Sequence, residues 1–169
     1  MEQYQLTSVC FSDDSTSIFT GGIDGVVRRY DTRMDAQPAL VLEGHTDILT
    51  CLRVSPDGDF MLTNAMDNTL RVWDLRPYAP VNRCVKVLTG HSHGYEKQLI
   101  RCDWSSDGKS VASGSSDACV YVWDVNTRRI TYRLPGHKGC VNSVAFHATE
   151  PVIGSTGNDS VIFLGELGD

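Results

Sequence analysis

The chain has 169 residues, 41% of them hydrophobic and 21% charged, with a formal net charge of -6, a balance that fits a folded domain and excludes a disordered segment. No apolar run approaches the roughly 20 residues that span a bilayer, and the opening MEQYQLTSV has neither a basic nor an apolar leader region, so no membrane contact and no secretion are expected. The acidic balance argues against broad binding to nucleic acid, which rests on many Lys and Arg neutralising phosphates, and leaves RNA contact at most indirect or local.

An aspartate recurs along the chain at Asp24, Asp67, Asp117 and Asp159, at separations of 43, 50 and 42 residues. Ahead of each lies one apolar pattern: Leu6, Val9 and Phe11, then Leu49, Leu52 and Val54, then Leu99, Cys102 and Trp104, then Val141, Val144 and Phe146. That pattern predicts a buried strand drawn four times. A hydroxyl stands four residues before each aspartate, and a strand ending in Tyr30, Trp73, Trp123 or Gly165 follows. Units of this length are blades of a propeller, whereas helical repeats run at about 33 to 34 residues.

In chain order, the first repeat covers about 4–31, with Ser12-Asp13-Asp14-Ser15 as its first turn. The second, about 39–74, opens with a strand at 39–42 and continues with strands at 49–54, 60–64 and 69–74, turning at Ser55-Pro56-Asp57-Gly58 and again at 66–68. The third, about 85–124, repeats this order with Ser105-Ser106-Asp107-Gly108, and the fourth, about 130–167, carries the weaker turn His147-Ala148-Thr149-Glu150. The expected fold is all-β: one propeller segment over 1–169 with four blades, each a four-stranded antiparallel sheet. Only three outer strands are present, at 39–42, 85–88 and 130–134, so the last blade is expected to lack its own. All length variation falls between the third strand of one repeat and the first strand of the next, which predicts variable loops on one face. The third repeat is the most expanded, at 76–80 and 91–99. Long loops on a rigid scaffold carry binding, so Tyr78, His93 and Tyr95 are candidate partner contacts.

Gly44-His45, Gly90-His91 and Gly136-His137 precede the hydroxyl and aspartate of their repeats, and two units end in Trp73-Asp74 and Trp123-Asp124. These residues resemble the WD-repeat family, in which histidine, hydroxyl, aspartate and tryptophan form a buried hydrogen-bonded network. The resemblance implies two complete networks, His45, Thr63, Asp67, Trp73 and His91, Ser113, Asp117, Trp123. It implies two partial ones, Thr20, Asp24 and Tyr30 without a histidine, and His137, Ser155 and Asp159 with Gly165 in place of an indole. A catalytic Ser-His-Asp triad is the rival reading, but similar sets in successive repeats suit a structural device rather than several active sites.

His91, His93 and Cys102 have no closed zinc spacing, and the chain has no phosphate-binding loop, HExxH or dinucleotide fingerprint. No catalysis, metal or cofactor is expected. Arg28-Arg29 and Arg128-Arg129 read as solvated or paired cations. The six cysteines, Cys10, Cys51, Cys84, Cys102, Cys119 and Cys140, read as small core residues in a nuclear or cytosolic protein.

A narrower resemblance covers nearly the whole chain. Gly21-Gly22-Ile23-Asp24, Asn64 to Thr69 leading into Arg71-Val72-Trp73-Asp74, Arg83-Cys84-Val85-Lys86, Arg128-Arg129-Ile130, Tyr132 to His137 and Val161 to Leu167 are similar to the last four repeats of the forty-kilodalton WD-repeat subunits of the spliceosomal U5 small nuclear ribonucleoprotein. That family has about seven blades, so the chain is read either as a fragment or as an arc completed by a second copy, a homodimer through its open ends. The resemblance implies a nuclear, non-catalytic scaffold in pre-mRNA splicing. It would bind the large central U5 scaffold protein and other spliceosomal proteins. The alternative is an adaptor of another complex, such as a ubiquitin ligase or a chromatin assembly.

Overall fold

Three short strands joined by tight turns lead up to each recurring aspartate and past it, and in the first three sheets a fourth strand comes from the segment that opens the next repeat. The computed structural model describes residues 5–34 and 37–168; positions 1, 4 and 169, named above as limits of the repeats, lie outside them. The first sheet orders β1 (Leu6–Phe11), β2 (Ser17–Gly22), β3 (Val27–Asp31) and β4 (Leu40–Leu42). The second orders β5 (Leu49–Val54), β6 (Phe60–Ala65), β7 (Thr69–Asp74) and β8 (Cys84–Thr89). The third runs from β9 (Cys102–Trp104) through β10 (Ser110–Ser113) and β11 (Cys119–Asp124) to β12 (Ile130–Pro135). The fourth has three strands, β13 (Val141–Phe146), β14 (Val152–Gly157) and β15 (Ile162–Glu166). All pairings are antiparallel, and among the described residues β15 pairs with β14 alone. The chain is thus an all-β, four-bladed propeller segment.

The turns explain why the strands stop where they do. In the first-to-second strand turns, Ser55 Oγ donates to Asp57 and accepts from Phe60 N at 2.9 Å, and Ser105 does the same with Asp107 and Ser110. Gly58 and Gly108 take the positive φ that follows, 77° and 68°. In the first repeat Ser15 occupies that region at 57°, and in the fourth the His147 imidazole replaces the hydroxyl by accepting from Thr149 N and Glu150 N. Each recurring aspartate accepts from the backbone N–H two residues on, at 3.0 to 3.3 Å. The residue between them is left-handed in all four repeats: Gly25, Asn68, Ala118 and Ser160.

Three apolar cores lie between successive sheets, around Phe19, Leu49 and Trp73, around Leu70, Trp104 and Trp123, and around Val122, Val144 and Ile153. Threonine hydroxyls stitch the inner strands as well. β1, β5 and β13 each carry a bulge near their start; the bulged Thr50 donates its hydroxyl to Ile100 O at 2.8 Å and Thr7 donates to Leu49 O.

Three sequence expectations are corrected. The first inner strand is not buried: Leu6, Val9 and Phe11 are 56%, 63% and 59% exposed, because among the described residues no sheet packs on that side. In the third repeat Ile100, not Leu99, is the buried residue, since β9 begins only at Cys102 and the preceding segment follows its own path. The variable loops do not share one face. The segment after β7 starts beside the turn between the first and second strands, which marks the lower face, with Leu75 N donating to Asp59 O at 2.9 Å, whereas the recurring aspartates lie on the upper face. The segment after β8 meets the upper aspartate turn, with His93 N donating to Asn68 Oδ1 at 2.6 Å. The six residues of β8 separate the two by about 20 Å.

Candidate functional site

In the second repeat the aspartate turn, the strand hydroxyl and the Gly-His corner converge. His45 Nδ1–H donates to Asp67 Oδ2 at 2.8 Å, Thr63 Oγ1 donates to His45 Nε2 at 2.6 Å, and Trp73 Nε1–H donates to Thr63 Oγ1 at 2.9 Å. Asp67 also accepts from Thr46 N, Thr69 N and Thr69 Oγ1. Burial acts to raise the Asp67 carboxyl, but hydrogen bonds from His45 and Thr69 outweigh it and hold the group well below the usual carboxylate range. Burial lowers His45 against the pull of Asp67. Gly44 suits this corner: a Cβ there would meet the Arg71 guanidinium at 2.9 Å and the Trp73 ring at 3.1 Å, and both would have to shift.

The fourth repeat forms the same contacts without an indole. His137 Nδ1–H donates to Asp159 at 3.0 Å and Ser155 Oγ donates to His137 Nε2 at 2.9 Å, while the Phe163 ring packs edge-on to the imidazole at 4.7 Å. Hydrogen bonds from Lys138 N and His137 hold Asp159 down to about 2. In the first repeat Asp24 pairs with Arg28 at 2.7 Å, and Thr20 Oγ1 is buried without a partner among the described residues. The position 22 residues ahead of Asp24, equivalent to His45, is Glu2, outside the described residues.

The set His91, Ser113, Asp117 and Trp123 does not assemble, which corrects the expectation of a second complete network. His91 Nε2 bonds Asn64 Oδ1 at 3.0 Å, Trp123 Nε1–H donates to Thr89 O at 3.0 Å, and Ser113 Oγ donates to Gly114 O while accepting from Asn64. Asp117 is taken by Tyr121 OH at 2.7 Å and Arg133 at 3.0 Å; burial and this bond push the Tyr121 hydroxyl up to about 12. The physical reason is twofold. The longer corner moves His91 away from its aspartate, and Asn64 and Tyr121, neither singled out from sequence, offer competing partners. One signal was available: His45 and His137 each lie 22 residues before their aspartate, whereas His91 lies 26 before.

Asn64 is a hub. Its Nδ2 donates to Ile100 O at 3.2 Å and to Ser113 Oγ at 3.0 Å, and its Oδ1 receives His91 Nε2 and His93 Nε2 at 3.0 and 3.1 Å. It ties the second blade to the third and fixes the upper loop that carries Tyr95. Burial lowers His91 to about 3 and holds His93 below its ordinary value. Tyr78 and Tyr95 are fully exposed, but Tyr78 is on the lower face and Tyr95 on the upper, so Tyr78, His93 and Tyr95 do not form one surface.

The WD domain, G-beta repeat family matches residues 2–31, 36–74, 82–124 and 128–164. The chain is 49% identical over 164 residues to the U5 small nuclear ribonucleoprotein 40 kDa protein of Homo sapiens, covering 97% of this chain and 46% of that protein. It is 44% identical over 166 residues to the pre-mRNA-splicing factor cwf17 of Schizosaccharomyces pombe, covering 98% and 48%. A more distant match is the DDB1- and CUL4-associated factor 11 homolog of Caenorhabditis elegans, 28% identical, covering 92% and 34%. The chain therefore spans about half the length, or less, of these relatives. With four repeats matched and four sheets built from them, the chain belongs to the WD domain, G-beta repeat family.

Proposed function

We propose that this chain is a non-catalytic scaffold segment of the nuclear pre-mRNA splicing machinery, docking protein partners of the U5 particle. The observation that carries this reading is the identity of 44% to 49% along nearly its whole length to two splicing proteins. The hydroxyl-imidazole-carboxylate sets favour a structural role over catalysis, because Thr63 and Ser155 are 0% and 6% exposed and both nitrogens of His45 and His137 are already bonded. Affinity capture of the tagged chain from nuclear extract, followed by mass spectrometry, tests it. Enrichment of U5 proteins is expected; enrichment of cullin ligase subunits instead would favour the adaptor reading that the third relative motivates.

The ends of the arc support self-association as part of this reading. Ile162 and Leu164 on the edge strand β15 are 71% and 76% exposed, and Val9 and Phe11 at the other end are 63% and 59% exposed; such edges and faces favour pairing with another chain. Sedimentation at micromolar concentration checks this, and a monodisperse monomer of 18.6 kDa overturns the homodimer.

A further inference from the structure

The upper loop between β8 and β9 encloses an open cavity of about 550 Å³ whose wall includes Ser92, His93, Tyr95, Glu96, Gln98 and Cys140 and contains no lysine or arginine. The hydrogen bonds around it fix which atoms carry protons. A carbonyl only accepts, so Ile100 O sets Asn64 with its nitrogen toward Ile100 and its oxygen toward the imidazoles. His93 meets Asn64 Oδ1 through Nε2, its Nδ1 is buried, and the Gln98 backbone carbonyl also bonds to this ring. Gln98 Nε2 donates to Glu96 Oε2 at 2.5 Å, which leaves Gln98 Oε1 as a buried acceptor without a donor among the described residues. Carboxylates act on two groups of the wall. Burial and the carboxylates of Glu96 and Asp117 push the Cys140 thiol up to about 11, and Asp67 and Asp47 act on His93.

We propose that this cavity is a subsite for a guanidinium, the arginine side chain of a protein partner, held by the Glu96 carboxylate and the Tyr95 ring. Tyr95 is fully exposed and its ring is open to stacking, and the buried Gln98 Oε1 in the wall adds negative potential. A guanidinium suits this set better than an ammonium, because its planar fork bonds a carboxylate while its face stacks on an aromatic ring, and it is more weakly hydrated. The proposal rests on the reading that this scaffold docks proteins and adds the chemistry of the docked group.

The test titrates the full chain with N-acetyl-arginine-amide, and separately with the citrulline and lysine analogues, while following histidine ring and tyrosine resonances by NMR. Saturable shifts at His93 and Tyr95 are expected with arginine. Glu96→Gln, at an exposed position, should weaken binding about tenfold, and Glu150→Gln on the lower face should leave it unchanged. Citrulline binding within a factor of two of arginine, tighter binding of lysine, or an unaltered Glu96→Gln variant would each overturn the proposal. Intact arginine binding with no splicing proteins captured would overturn the splicing reading alone; the reverse pattern would overturn the subsite alone.

Discussion

Replacing Asp67 by alanine should destabilise the fold far more than the same change at Asp117, although the two occupy equivalent positions in their repeats. Asp67 receives the Nδ1–H of His45, whose side chain is 0% exposed, and its own side chain is 7% exposed. Removal strands that imidazole donor, where water does not reach, at about 1 to 3 kcal/mol, and also frees the Thr69 N–H of the turn, for a total of about 3 kcal/mol. Asp117 is 31% exposed, and its partner Arg133 is 59% exposed. Water replaces much of what is lost there, so the cost should be about 1 kcal/mol. Urea denaturation followed by tryptophan fluorescence measures both, and a His45→Ala, Asp67→Ala double-mutant cycle should return a coupling of about 1 to 2 kcal/mol. Equal losses at the two aspartates, or a larger loss at Asp117, would refute the assignment of a closed network to the second repeat and not to the third.

Acid should weaken the fold before its carboxylates protonate. His91 falls to about 3 from 6.5, so its contribution is present above pH 6.5 and is lost as pH falls toward 3; by pH 5 this amounts to about 2 kcal/mol, and His91→Gln should flatten the measured slope. Ala118 is left-handed at φ 65°, so Ala118→Gly should raise stability by up to about 1 kcal/mol in a thermal melt. Asn64→Ala removes four hydrogen bonds, three of them buried, and should cost about 3 kcal/mol by urea denaturation. Hydrogen exchange in that variant should rise between Gly90 and Arg101 rather than in the turn that holds Tyr78.

The strand plan was legible because spacing from the inner strand to the aspartate is fixed, and because serine, aspartate and glycine recur where the turns need them. The network of His45 was legible for the same reason: strand register alone brings residues 22 apart into contact. What escaped the sequence were Tyr121, a rival partner within the third repeat, and partners from outside a repeat. Asn64 belongs to the second repeat but serves histidines of the third, and no pattern within one unit reveals a contact between blades. The side on which a loop emerges was misjudged because 76–80 and 91–99 are close in sequence, while a single intervening antiparallel strand sends them to opposite ends of the sheet. The exposure of Val9 and Phe11 was hidden because an apolar residue that faces another sheet and one that faces solvent look alike in sequence.

Because each of the first three sheets borrows its outermost strand from the following repeat, the joint between those repeats does not coincide with the joint between their sheets. A cut after Asp124 would strip the third sheet of Ile130–Pro135, whereas a cut just after Pro135 would leave that sheet whole. The same offset bears on how such a chain grows. Tandem duplication of one repeat-length stretch of gene, wherever its breakpoints fall, restores every strand partner downstream, so the array lengthens by a whole blade without a new junction having to evolve.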